Sequence, residues 1–187
     1  MRSLVYYVAA SLDGFIAAPD GDVSAFGQDP ATLSALFELY PETCPVHARK
    51  PLGVTIAPRR FDTVVMGRRT HQPALDAGLT SAYPHLRQIV VTHRALPDSP
   101  VETVGGDVRT RIRDLMAEPG KDVWLCGGGE LAGQLVDEID ELQVKVNPVV
   151  LGAGIPLFSG LDRPQPFDHA DTRVLPAGVV LLTYRRR

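Results

Sequence analysis

The sequence predicts an α/β fold with a mainly parallel central sheet, flanking helices and a C-terminal antiparallel hairpin. Three observations lead there. Apolar runs of strand length alternate with helix-like segments along the chain. Several of those runs are apolar at consecutive positions, as strands covered on both faces are. Near the C-terminus the alternation stops, and two strand-like runs flank the turn Pro176-Ala177-Gly178.

The first run, Leu4–Ala10 (LVYYVAA), is rich in β-formers and passes into Asp13-Gly14, a turn signal. Arg2 ahead of a short apolar stretch has the look of a secretory leader. The run is brief, however, and flows into the turn without a cleavage-like break, so it reads as a buried strand of a cytoplasmic protein. No apolar run is long enough to cross a bilayer. A helix over residues 31–40 opens with Asp29-Pro30, an N-cap followed by proline at the first helical position. Residues 41–60 form a Pro-rich insertion without periodicity, read either as a lid or as a disordered insertion near the substrate entrance. Strands follow at 63–66, 88–92, 123–126 and 142–150, alternating with helices at 69–77, 107–117 and 130–139. The hairpin pairs 172–175 with 179–184. No internal repeat or linker divides the chain, so residues 1–187 read as a single domain.

Composition excludes several classes. With 44% hydrophobic and 22% charged residues and a net charge of −3, the chain carries no basic footprint for nucleic acid or an anionic membrane. The two cysteines, Cys44 and Cys126, lie far apart and form no CxxC, which argues against a structural zinc site, a disulfide framework or any metal centre. The H-x-E…P-C-x-x-C pattern of zinc-dependent base deaminases is absent.

In "VWLCGGGELAGQLV" three glycines, Gly127, Gly128 and Gly129, stand between an apolar strand and a helix. Each gives up about 1 kcal/mol of backbone entropy relative to alanine, so something there requires bare backbone. Two readings stand side by side: a cradle in which a diphosphate approaches a helix start, and a tight structural turn. Gly133 lets the following helix pack closely. The G-x-G-x-x-x-G spacing misses the dinucleotide fingerprint by one residue, and no Lys-Ser/Thr follows, so neither a standard Rossmann domain nor a P-loop fits. In "VVMGRRTHQ", Gly67, Arg68, Arg69 and Thr70 follow another strand. An arginine fork there suits a phosphate monoester, though a solvated helix start is the plain alternative. Thr92, His93 and Arg94 end a third strand. In a parallel sheet all three clusters emerge at the C-terminal edge, where ligands collect.

Taken in order, "VYYVAASLDGFIAAPDG", "VVMGRRTHQ", "IVVTHRALP", "VWLCGGGELAGQLV" and "VKVNPVVLGAGIPLF" resemble the dihydrofolate reductase-like superfamily. They are most similar to its branch named for the C-terminal reductase domain of the bacterial bifunctional deaminase-reductase of riboflavin biosynthesis. The resemblance implies a stand-alone, single-domain reductase with an NADPH site. Arg68, with Arg69 and Thr70 and beside Gly67, would hold the 2′-phosphate. Thr92, His93 and Arg94 would flank the adenine ribose, and Gly127, Gly128, Gly129 and Glu130 would wrap the diphosphate. Ala10 and Ile16 would meet the nicotinamide. It also implies a homodimer acting on a pteridine, pyrimidine or similar small heterocycle.

The chemistry also needs a proton. Asp29 is the carboxylate nearest the place where folate reductases carry theirs, and Asp13 of "SLDGFIA" is a second candidate. Each has an ordinary structural reading, Asp29 as helix cap and Asp13 as turn residue. His47 and His71 read as surface residues and Trp124 as core. A non-catalytic NADPH- or flavin-binding protein of the same fold stays open beside the reductase.

Overall fold

A computed structural model describes residues 2–94, 96 and 100–187. In chain order the strands are β1 (Leu4–Ala10), β2 (Phe15–Ala17), β3 (Phe61–Gly67), β4 (Arg87–Val91), β5 (Glu102–Val104), β6 (Asp122–Gly127), β7 (Glu141–Val146), β8 (Ile155–Pro156), β9 (Phe167–Val174) and β10 (Val180–Arg186). The helices are α1 (Pro30–Leu39), α2 (Val46–Arg49), α3 (Arg68–Asp76), α4 (Val108–Ala117) and α5 (Gly129–Gln134). Successive strand residues face opposite sides of a sheet. Leu4, Val5, Tyr6 and Tyr7 are nevertheless all buried, so both faces of β1 are covered, as the apolar run predicts.

The main sheet has the order β5-β4-β3-β6-β1-β7-β10-β9. Its strands from β5 to β7 are parallel; β10 is antiparallel to β7, and β9 is antiparallel to β10. One core packs Leu4, Tyr6, Val65 and Ile89 beneath α4 and α5, and the other packs Val5, Tyr7, Phe61, Met66 and Trp124 against Leu36 of α1. Trp124 is core, its indole N–H donating to the Tyr7 carbonyl at 2.9 Å. Among the described residues no helix is long and apolar enough to cross a membrane.

Several elements differ from expectation. The two- and three-residue strands β2, β5 and β8 are too short to show any period in the sequence. The strand expected to reach 150 ends at Val146, because Pro148 has no N–H for the ladder and the Val149 N–H turns back to the Asn147 carbonyl at 2.8 Å. The helix expected over 130–139 breaks into α5 and a 3-10 turn at Val136–Glu138. The break lets the Asp140 N–H reach the Leu4 carbonyl at 3.0 Å and launches β7 beside β1. Strand β9 starts five residues before the expected 172 and is exposed nearly throughout, so main-chain pairing rather than an apolar face defines it.

Glu42 holds the Pro-rich segment in place. Its buried carboxylate accepts the N–H groups of Arg59 at 3.1 Å, Arg60 at 2.7 Å and Phe61 at 2.7 Å. Arg60 in turn pairs with Asp122 and Glu141, at the starts of β6 and β7. The segment is therefore moored at the N-terminal edge of the sheet, opposite the glycines, and its anchored end does not border the expected substrate entrance. His71, expected at the surface, is 1% exposed, because it is the side chain by which α3 packs against β3 and β4, with the Gln88 amide 3.0 Å from its Nδ1.

Candidate active site

Strands β3 and β6 are neighbours, with Met66 opposite Gly127, and each ends in a glycine at or just before a helix start. Gly67 is the N-cap of α3 and Gly128 the N-cap of α5, and neither cap makes a side-chain hydrogen bond. Two helix starts with unshared first-turn N–H groups thus lie side by side at the C-terminal edge. A Cβ on Gly67 would lie 3.8 Å from both the Gly127 oxygen and the Gly128 nitrogen.

The three glycines serve different ends. Gly127 has φ +131°, a conformation that side chains rarely adopt, and its peptide bond to Gly128 is cis. Gly128 has φ −91°, and a Cβ there would touch only Ile16 Cδ1 and Thr70 Oγ1, both at 3.9 Å. Neither packing nor backbone conformation demands a glycine at 128, and its open side faces the gap between Ile16 and Thr70. Gly129 is required by packing, since a Cβ would fall 2.1 Å from the Pro156 carbonyl oxygen. Gly133 packs closely, as expected: its Cβ would fall 1.8 Å from the Ser159 carbonyl oxygen.

The cations near this edge are unusual for their lack of partners. Elsewhere the described arginines pair with carboxylates, as Arg87 does with Glu102 and Glu118, or with backbone carbonyls, as Arg49 and Arg59 do. Among the described residues Arg68, Arg69 and Arg94 have neither. Arg68 makes only a 3.4 Å contact with Gln72, one turn along its own helix. Arg69 and Arg94 are exposed. Thr92 closes its turn by accepting from the Arg94 N–H at 3.0 Å, leaving His93 and Arg94 at the rim of β4, next to β3. Ala10 ends β1, Ile16 lies in β2, and Glu130 is exposed in the first turn of α5.

Both expected proton donors are tied up as acceptors. Asp29 caps α1, accepting from Thr32 N–H at 2.8 Å and Thr32 Oγ1 at 2.9 Å, and these bonds hold its carboxyl below the usual aspartate range. Asp13 accepts from Ser11 Oγ at 2.6 Å, Leu151 N–H at 3.1 Å and Gly152 N–H at 2.7 Å, with the same effect on its pKa, the Ser11 hydroxyl contributing most. Asp13 thus staples the first loop to the loop after β7. Asp29 and Thr32 line a cavity of about 190 Å³ together with Asn147, Val149 and Ala177. A larger hollow of about 600 Å³ lies along α5, where the charges of Arg109 and Arg163 are spent on Asp137.

Lys145 is a residue that sequence reasoning passes over. Its Nζ sits 3.9 Å from the centroid of the Tyr7 ring, and among the described residues it has no hydrogen-bond or ion-pair partner. Burial lowers its pKa to about 8, and the same burial pushes the nearby Cys126 thiol up to about 12. The available signal was a lysine in "LQVKV", at a position whose side chain must face the core if Val144 faces the other way.

The model of the RibD C-terminal domain matches residues 2–181. The chain belongs to the RibD C-terminal domain family. The uncharacterized protein YwjB of Bacillus subtilis (strain 168) is 32% identical over 166 residues, covering 86% of this chain and 84% of that protein. The uncharacterized protein YyaP of the same organism is 24% identical over 197 residues, covering 98% and 94%. Among solved structures, a putative riboflavin biosynthesis protein from Shewanella sp. PV-4 aligns at TM-score 0.73 and 25% identity, covering 100% of this chain and 99% of the other. The dihydrofolate reductase of Enterococcus faecalis, complexed with NADP(H), aligns at TM-score 0.66 and 17% identity, covering 99% and 96%. The RibD C-terminal fold here is thus a dihydrofolate reductase-like α/β fold of reductase type.

Proposed function

We propose that this chain is an NADPH-dependent reductase that transfers a hydride to a pteridine, pyrimidine or similar small heterocycle. The observation that carries the reading is that, among the described residues, Arg68, Arg69 and Arg94 pair with no carboxylate or backbone carbonyl and stand beside two uncapped helix starts. Isolated guanidinium groups at one edge call for an anion with several oxygens. The 2′-phosphate would meet Arg68, with Arg69 and Thr70, while Thr92, His93 and Arg94 flank the adenine ribose. The diphosphate would lie over Gly67, Gly127 and Gly128 toward Gly129 and Glu130, filling the space that a side chain at 128 would take. The nicotinamide end would reach Ala10 and Ile16. The cofactor supplies the hydride; the chain binds and orients it and excludes water.

The reading includes a cytoplasmic homodimer, testable by sedimentation velocity. One observation favours the alternative of a non-catalytic NADPH- or flavin-binding protein: Asp13 and Asp29 are both hydrogen-bond acceptors held in the ionised form. Two measurements on the purified protein decide. NADPH at ~100 times its Kd should add about 2.7 kcal/mol, raising Tm by roughly 5–10 °C for a domain of this size, with NADH far weaker. NADPH oxidation against a panel of pteridines, pyrimidines and flavins then separates reductase from binder. A melting curve unmoved by saturating NADPH would overturn the reading.

A further inference from the structure

Reducing a C=N or C=O bond takes a proton as well as a hydride, and Asp13 and Asp29, both held ionised, have none to give. The sheet face under α1 carries another acid. Lys145 of β7 pairs with Ala9 of β1, one residue before Ala10, and Cys126 of β6 stands one residue before Gly127. Ala9, Cys126 and Lys145 are each half-buried, whereas Val8, Ala10, Leu125 and Gly127 beside them are buried. The three thus line a shallow recess just short of Ala10, where the nicotinamide end is assigned.

The Lys145 ammonium stands over the Tyr7 ring, a contact that holds a cation without neutralising it. Lys121, by contrast, spends its ammonium on the carbonyls of Pro58 and Arg59. The groups around Lys145 leave its charge alone. Leu181 of β10 is its apolar neighbour, and Tyr40 and Tyr83 pack behind Tyr7 and Trp124. Burial pushes the Tyr7 and Tyr83 hydroxyls and the Cys126 thiol up, so all three stay neutral at pH 8. Glu42, beyond Tyr7, is committed to the Arg60 and Phe61 N–H groups, and Glu141 of β7 to Arg60. Glu38 of α1 forms no ion pair with it. Among the described residues the ammonium is therefore the one free charge of the recess, and burial lowers its pKa to about 8, suited to releasing a proton near neutrality.

We propose that Lys145 is the proton donor of the reductase. As the carbon of the substrate's C=N or C=O bond gains the hydride that turns NADPH into NADP⁺, its nitrogen or oxygen takes a proton from Lys145 Nζ. The neutral amine left behind is recharged from water. This deepens the reductase reading and rests on it.

Lys50 and Lys121 are the only other lysines, so reductive ¹³C-methylation of the full chain lets each ammonium be read separately by NMR, with Lys145→Met identifying its signal. The Lys145 signal should titrate near pH 8, well below the ordinary lysine value of about 10.4. NADP⁺, its binding followed by Tm, should lower that midpoint by about half a unit or more, because the oxidised nicotinamide brings a positive charge beside Nζ. With the heterocycle of the panel that the wild type reduces, kcat should fall as the pH rises through 8, since the charged amine is the donor. Lys145→Arg keeps the cation but gives up no proton. It should bind NADP⁺ like the wild type, lose about 10²–10⁴-fold in kcat and lose the alkaline limb. An arginine variant that turns over like the wild type, or a Lys145 signal that bound NADP⁺ leaves unmoved, overturns the role of Lys145 and keeps the cofactor reading. NADP⁺ that fails to bind, or a wild type that reduces none of the panel, overturns the reductase reading and the proposal with it.

Discussion

Gly128 and Gly129 are adjacent, yet alanine should act on them in opposite ways. At Gly129 the new methyl would sit 2.1 Å from the Pro156 carbonyl oxygen and 3.3 Å from its carbon, both backbone atoms that cannot rotate away. Either α5 or β8 must shift. Overpacking of this kind costs about 1–3 kcal/mol, so Tm should fall by roughly 3–10 °C for a chain of this length. At Gly128 the methyl meets nothing closer than 3.9 Å, and φ −91° suits any residue. Restricting the unfolded chain there should raise stability by about 0.4–1 kcal/mol, a Tm gain of roughly 1–4 °C. The same methyl would occupy the space assigned to the diphosphate, so Gly128→Ala should lose NADPH affinity while melting higher, and Gly128→Val should bind neither NADPH nor NADH. Differential scanning calorimetry and NADPH fluorescence read both quantities. A Gly128→Ala variant that binds NADPH like the wild type, or a Gly129→Ala variant that melts like it, would refute the division of labour.

Arg68→Ala should weaken NADPH by about 1.5–3 kcal/mol and leave NADH nearly unchanged, as isothermal titration would show; equal losses would reduce Arg68 to a support for its loop. Glu42→Ala should cost about 3–5 kcal/mol in chemical denaturation, because Arg60 and Phe61 would keep buried N–H groups without an acceptor, while NADPH affinity at the opposite edge stays constant. Asp13 has a folded pKa below its ordinary 3.8, so its contribution to stability is complete above that value and is lost as the pH falls through the lowered one. In Asp13→Asn that portion of the acid limb should flatten in urea melts recorded from pH 5 down to pH 2.

The parallel sheet was legible because burial on both faces forces long apolar runs, as in "LVYYVAA" and "FDTVVMG". The edges were not: β9 is polar and exposed, and β2, β5 and β8 are held by main-chain bonds that leave no side-chain signature. The glycine cluster was legible as a demand for bare backbone, but not which of its members answers to packing, since Pro156 lies 27 positions beyond Gly129. The Pro-rich segment hid its order because Glu42, its anchor, looks like any surface glutamate until Phe61 is seen above it. Lys145 was missed for the opposite reason: a lone lysine in a strand is usually solvated.

Strand β1 lies in the middle of the sheet, between β6 and β7, with Leu4 opposite Val123 and Val5 opposite Glu141. During synthesis it leaves the ribosome before either of its neighbours, both of which lie more than a hundred residues further along the sequence. Its apolar faces and both of its hydrogen-bonding edges must therefore wait, unpaired, until β6 and β7 have been made. Sheets assembled through such distant pairings fold slowly and pass through aggregation-prone forms. A nascent chain stalled after β4 should therefore recruit holding chaperones at LVYYVAA, and refolding in the tube should grow less efficient as protein concentration rises.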